Sequence, residues 1–257
     1  MEAPNAKISV RGLTMAYGSF VVMKDLNFDI NDKDIFIIMG GSGCGKSTLL
    51  RHLIGLREPA KGEVFYDGKN FTRTDPSERG AFISRFGVMY QSGALWSSMT
   101  LAENIAMPIE ENTDLDPKSV ADLVSYKLAL VGLSGYEDYY PSQVSGGMNK
   151  RAGIARAMAL DPDILFLDEP GAGLDPLSSR RLDDLILRLR DSLGSTIVIV
   201  THELASIFAV ANNSIFLDTA TRTQGATGNP VDLRDHSENP AVRVFLNRGD
   251  DPEASQP

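Results

Sequence analysis

Apolar and polar residues alternate through residues 7–33, interrupted once at Tyr17-Gly18-Ser19, and this period of two predicts two antiparallel strands joined by a tight turn. Residues 34–39 are nearly all apolar, which predicts a strand buried on both faces. Leu49, Leu50, Leu53 and Ile54 then recur at helical spacing. Residues 63–66 and 69–71, flanking Asp67-Gly68, predict a second hairpin, and residues 85–90 another strand. Asp116 followed by Pro117 predicts a capped helix to about Leu130, which Gly132 stops. A further helix is expected from Ser145-Gly146-Gly147, turning Ile154, Ala155, Met158 and Ala159 inward. Residues 177–193 place Leu182, Leu185, Ile186 and Leu189 on one helical face, between buried-strand patterns at 164–167 and 196–200. Strands alternating with helices imply an α/β sheet, here with an antiparallel part and a helical lobe around residues 92–160.

Composition narrows the function classes. With 257 residues, 42% of them hydrophobic and 23% charged, the chain can bury a large core and is not expected to be disordered. A net charge of −9 disfavours nucleic acid as a partner. Cys44 is the one cysteine, so no internal disulfide is possible. No apolar run follows the first seven residues, and none elsewhere approaches the roughly 20 residues a membrane helix needs. The expectation is therefore a soluble, cytoplasmic protein that would serve a membrane through a partner.

The chemistry begins where the buried strand ends. Gly40-Gly41-Ser42-Gly43-Cys44-Gly45-Lys46-Ser47 satisfies G-x-x-x-x-G-K-S/T between a strand and a helix, the context of a phosphate loop. Its glycines let backbone N–H groups turn around phosphate oxygens, and the helix start adds partial positive charge. Lys46 is expected to reach the β and γ phosphates and Ser47 to ligate Mg²⁺; Cys44 is expected to be a tolerated small residue. Strand 164–167 runs into Asp168-Glu169, where Asp168 can hold Mg²⁺ through water and Glu169 can polarise an attacking water. Val144-Ser145-Gly146-Gly147-Met148 opens a second helix with small residues, a second place where free N–H groups face an anion.

With two such anion sites about a hundred residues apart, the chain resembles the nucleotide-binding subunits of ABC transporters over essentially its whole length. That resemblance implies a P-loop α/β fold with a mixed sheet core, an antiparallel β subdomain and a helical subdomain. It implies ATP hydrolysis in a homodimer, where Ser145, Gly146 and Gly147 of one subunit cover the γ-phosphate held by the loop of the other. Residues 40–48, including Thr48, would line the nucleotide, with Tyr17 stacking on adenine. Gln91 would sense Mg²⁺ and the attacking water, His202 would contact the γ-phosphate, and Asp175 would link the two sites. The usual Leu-Ser-Gly-Gly-Gln is here Val-Ser-Gly-Gly-Met, so Met148 replaces an amide; hydrolysis is expected to survive because the serine and both glycines remain. Met148-Asn149-Lys150-Arg151, residues 90–96 and residues 99–105 resemble the subgroup serving Mla/Mce-type phospholipid transport in bacterial envelopes.

The partners so implied are a multi-span permease contacting Ser92–Met99, where Ala94, Leu95, Trp96 and Met99 form an apolar cluster, and an Mce-type lipid-binding protein. The protein would then sit peripherally on the inner side of the cytoplasmic membrane. The alternative is an ABC ATPase that works a membrane complex mechanically without moving cargo, as in cell division. Chromosome and repair relatives insert long coiled coils between the two anion sites, and ribosome-binding relatives usually carry two cassettes; neither fits. Residues 1–238 are expected to form the ATPase domain and 239–257 a docking segment and tail. In that segment Asn239 and Pro240 open a short helix that Gly249 would end. Its face of Val242, Phe245 and Leu246 could pack on its own subunit or on the other one.

Overall fold

The computed structural model describes residues 6–75, 77–91 and 93–248. In chain order the elements are β1 (Ala6–Tyr17), β2 (Phe20–Asn31), β3 (Ile35–Gly40), α1 (Lys46–Leu53), β4 (Lys61–Tyr66), β5 (Lys69–Asn70), α2 (Gly80–Ile83) and β6 (Phe86–Met89). Next come α3 (Leu101–Asn112), α4 (Pro117–Leu130), α5 (Gly146–Ala157), β7 (Ile164–Asp168), α6 (Pro176–Leu193), β8 (Thr196–Val200) and α7 (Leu204–Val210). The last are β9 (Asn213–Asp218), β10 (Thr223–Thr227), α8 (Pro230–His236) and α9 (Pro240–Leu246). These elements fall into two compact units: the residues to Ile83 together with those from Thr196, and Ser84–Ser195.

In the first unit the alternating residues 7–33 form the expected hairpin. It extends into an antiparallel sheet of order β2-β1-β4-β5, in which Val10 faces Phe28 on one side and Val64 on the other. Strand β3, buried at all six positions, lies parallel to both β8 and β9, and β10 closes the edge antiparallel to β9. The sequence pattern placed Asp34 in this strand, but it acts as a clasp before it. One of its oxygens accepts from Asn31 N (3.0 Å) and Asn213 Nδ2 (3.1 Å), the other from Asn212 Nδ2 (3.1 Å). A buried carboxylate is tolerated because its lone pairs are filled. The clasp aligns the starts of β3 and β9, so their carboxyl ends, where α/β sheets hold ligands, finish level.

In the second unit β6 and β7 pair in parallel, Phe86 to Ile164 through Met89 to Leu167. Helix α4 carries the Asp116 cap, whose carboxylate accepts from Lys118 N and Ser119 N, and Pro117 in the first turn. Helix α3 was not anticipated, although Thr100 and Glu103 form a reciprocal capping box there. Elements β9, β10, α7 and α8 were not anticipated either.

Helix α9 begins at Pro240 with Asn239 as its cap, as the sequence suggests, and ends at Leu246; Gly249 lies outside the described residues. Its apolar face packs on its own chain: Val242 and Leu246 are buried, and the Phe245 ring sits 5.2 Å from that of Phe216 in β9.

Candidate nucleotide site

The loop after β3 is shaped by close approach. Gly40 has φ of +146°, and a Cβ there would lie 2.7 Å from Leu217 O and 2.8 Å from Cys44 Sγ, so no other residue fits without displacing backbone. Gly43 and Gly45 also take positive φ, which turns the chain into the first turn of α1. The Lys46 ammonium is held by Gly40 O (3.0 Å) and Gly41 O (3.1 Å), arching its stem over the loop. Cys44 is buried, and burial raises its thiol pKa, which suits a packing residue rather than a nucleophile. At the tip of the first hairpin Tyr17 is 42% exposed, an accessible aromatic face. His202 is exposed just beyond β8, after Thr201, whose hydroxyl accepts from Glu203 N at 3.1 Å.

In the second unit β7 is buried throughout and delivers Asp168 and Glu169 at its carboxyl end. Glu169 is 8% exposed and takes φ of +50°, an uncommon conformation for a residue with a side chain. Gln91 is exposed just after β6. Lys150, on α5, figures in the sequence only as part of the stretch 148–151 that carries the subgroup resemblance. Its buried ammonium donates to Gln91 O and to Glu169 O (3.2 Å), tying together the backbones that carry the two side chains. The same face of α5 continues the grip. A Cβ on Gly153 would lie 3.0 Å from Gly93 Cα, and Arg156 donates to Ala94 O (2.6 Å) and Gly93 O (3.3 Å). Replacing Lys150 with Met leaves two carbonyls without this donor, a cost of ~1–3 kcal/mol each where buried. The expected result is a lower melting temperature and slower turnover, with ATP affinity of the isolated chain little changed, read by thermal unfolding and nucleotide titration.

Helix α5 starts at Ser145, whose Oγ accepts from Met148 N at 3.3 Å and so keeps its own proton to donate to an anion beside the Gly146 and Gly147 amides. Met148 supplies that cap bond through its backbone, which any residue can do, so the amide missing from the usual motif is not needed to form the helix start. A cavity of about 420 Å³ adjoins it, lined by Ser145, Gly147, Met148, Leu182, Arg151, Arg181 and Arg188, with no acidic residue among its described lining residues. Burial lowers the Arg151 pKa, and the charge of Arg181 lowers it further, so the cavity favours negative charge. Asp175 caps α6, accepting from Leu177 N and Ser178 N at 3.0 Å each; a hydrogen bond from the Ser178 hydroxyl holds its pKa below the usual range.

The ABC transporter family matches residues 23–172, a span holding the phosphate loop, Gln91, the Ser145 helix start and Asp168-Glu169. The chain belongs to the ABC transporter family. As an ABC cassette it binds and hydrolyses ATP. It is 40% identical over 240 residues to the "Probable ribonucleotide transport ATP-binding protein mkl" of Mycobacterium leprae, covering 93% of this chain and 68% of that protein. The namesake from Mycobacterium tuberculosis is matched at the same identity over 66% of its length, so the chain spans about two thirds of these mycobacterial relatives. It is 39% identical over 205 residues to the intermembrane phospholipid transport system ATP-binding protein MlaF of Haemophilus influenzae, covering 80% of this chain and 78% of the relative. For MlaF of Escherichia coli K12 the values are 35% over 239 residues, 93% and 88%. Among solved structures, the dimeric post-hydrolysis state of the ATP-binding cassette MJ0796 with ADP and Pi superposes with a TM-score of 0.78 at 26% identity, covering 86% of this chain and 98% of that one. The cassette cbiO1 from Clostridium perfringens, part of the complex cbiONQ, gives 0.82 at 25% identity, covering 95% and 97%. The α/β architecture with its antiparallel sheet is thus that of ABC cassettes. Among the described residues no helix is long and apolar enough to cross a membrane.

Proposed function

We propose that this ABC cassette drives phospholipid transport between membranes of a bacterial envelope, as one of two identical ATPase subunits attached to a multi-span permease. The supporting observation is identity of 35–39% to relatives named for intermembrane phospholipid transport. It is joined by the residues at 90–105 and 148–151 that resemble that subgroup. The mycobacterial relatives are named for ribonucleotide transport, which makes a ribonucleotide the second cargo to test.

In this reading Tyr17 stacks on adenine, residues 40–48 wrap the phosphates, and Glu169 accepts the proton of the attacking water. His202 and Gln91 orient the γ-phosphate and that water. The Ser47 hydroxyl, the Gln91 amide and the Asp168 carboxylate are hard oxygen donors of the kind Mg²⁺ takes alongside phosphate oxygens and water. Bound there, Mg²⁺ would supply charge neutralisation on the β and γ phosphates. Ser145, Gly146 and Gly147 of the partner subunit close over the γ-phosphate, and Asp175 links the two sites. Lys150, Gly153 and Arg156 give a route by which force on the loop after Gln91 reaches the start of α5.

The permease contact is assigned to the segment before α3, whose first residue, Ser92, lies outside the described residues. Asn104 is fully buried there and binds Trp96 N (2.7 Å), Trp96 O (3.1 Å) and Met99 O (3.2 Å), a brace that leaves Trp96 56% exposed. A braced, exposed tryptophan suits an interface anchor. Changing Trp96 to Glu is expected to weaken co-purification with the permease by at least about tenfold, since buried aromatic anchors are worth ~2 kcal/mol or more. ATP binding by the isolated chain should not change, and normal co-purification would remove the assignment. The cargo is tested in nanodiscs holding the complete complex. ATP-dependent transfer of a fluorescent phospholipid to acceptor vesicles supports the proposal; ribonucleotide movement without lipid transfer overturns it.

A further inference from the structure

The accessible face of Tyr17 is not left to adopt its own geometry. The guanidinium carbon of Arg57 lies 3.7 Å from the Tyr17 ring centroid, in van der Waals contact with one face. Arg57 is fixed there: its Nη2 donates to Ala16 O at 3.1 Å and its backbone N to Arg51 O at 3.2 Å. Among the described residues it makes no ion pair with a carboxylate, so no paired anion offsets its charge beside the ring. At the other end of the ring, a hydrogen bond with the Thr48 side chain lowers the hydroxyl pKa, and the charges of Arg57 and Arg51 add to this. Thr48 belongs to α1, directly after the phosphate loop, so the hydroxyl end of the ring faces the helix that follows that loop.

We propose that Arg57 is a positioning residue for nucleotide binding: it backs one face of Tyr17, so that the base stacks on the other face and the ring lies between guanidinium and adenine. The inference rests on the reading of Tyr17 as the base platform. Two physical effects follow from the stack. An exposed aromatic at a hairpin tip ordinarily loses rotamer freedom when a ligand orders it, and that cost falls if the ring is already fixed. A cation against one face also offsets the ring's negative quadrupole, leaving the opposite face better suited to the π-cloud of a purine. Neither effect requires contact between Arg57 and the nucleotide.

The test titrates the full-length chain with Mg-ATP and with inorganic tripolyphosphate, which has phosphates and no base, alongside thermal unfolding. Arg57→Ala is expected to weaken ATP binding by about two- to tenfold, the range of an exposed to partly desolvated cation–π contact. Tripolyphosphate affinity should stay within about twofold of the parent, and in hydrolysis KM should rise while kcat holds. Arg57→Lys keeps the charge and loses the planar stack, and should fall between parent and Arg57→Ala. Tyr17→Ala separates the two layers of the argument. If it weakens ATP binding while Arg57→Ala does not, the Arg57 role is wrong and the platform stands. If Tyr17→Ala binds ATP like the parent, the platform itself fails and takes the proposal with it. Equal losses for ATP and tripolyphosphate in Arg57→Ala would mean that Arg57 serves the phosphates or the fold, and would also overturn it.

Discussion

Glu169→Gln is expected to lower ATP turnover by about 10²–10⁴-fold, the usual contribution of a general base, while ATP still binds. The side chain is 8% exposed at the end of a fully buried strand, so glutamine fits the same volume. The residue also stands at φ of +50°, a conformation set by its neighbours and shared by any isosteric replacement. What changes is charge: an amide cannot take the proton of the attacking water. ATP should therefore accumulate on the protein in single-turnover experiments, and with it a dimer visible by light scattering. Parent-like turnover would show that another group activates the water.

Truncation after Glu238 is expected to destabilise the chain by about 3–6 kcal/mol, from burial of Val242 and Leu246 at ~1.5–3 kcal/mol each. It also strips Phe245 from Phe216, whose ring it contacts at 5.2 Å. Against a typical net stability of about 5–15 kcal/mol, this loss should lower the urea midpoint markedly and promote aggregation of the isolated chain. A truncated chain with the parent's midpoint would show that α9 contributes little to the first unit. The sequence left two homes open for the Val242, Phe245 and Leu246 face, its own subunit or the other one. Packing on the chain's own β9 and β10 makes monomer stability the first quantity to measure.

Local signals carried much of this protein. The phosphate loop was readable because its glycines, Lys46 and Ser47 act within eight consecutive residues between a buried strand and an apolar helix. The starts of α4 and α5 were readable because Asp116 and Ser145 each accept from amides two or three residues ahead, whereas α6 was read from its apolar face alone and the cap that Asp175 provides was not. Lys150 was not readable as a link. Its partners lie 59 and 19 residues away, and a lysine on a helix is by default a solvated charge. Asn104 looked like part of a motif until its amide was seen bracing the backbone around Trp96. Arg57 lies 41 residues from the carbonyl that fixes it, and no periodicity marks it. Strand β10 escaped because Thr223-Gln224-Gly225-Ala226-Thr227 carries no apolar period, and β9 because Asn213, Ser214 and Asp218 leave only three apolar residues in a row; their support comes from pairing with β3 and with each other. Hydrogen-bond caps and hydrophobic periods are satisfied along the chain and therefore leave a trace in residue order. A buried ammonium, a bracing amide or a cation over a ring finds its partner only after distant segments have packed, so tertiary structure decided those contacts.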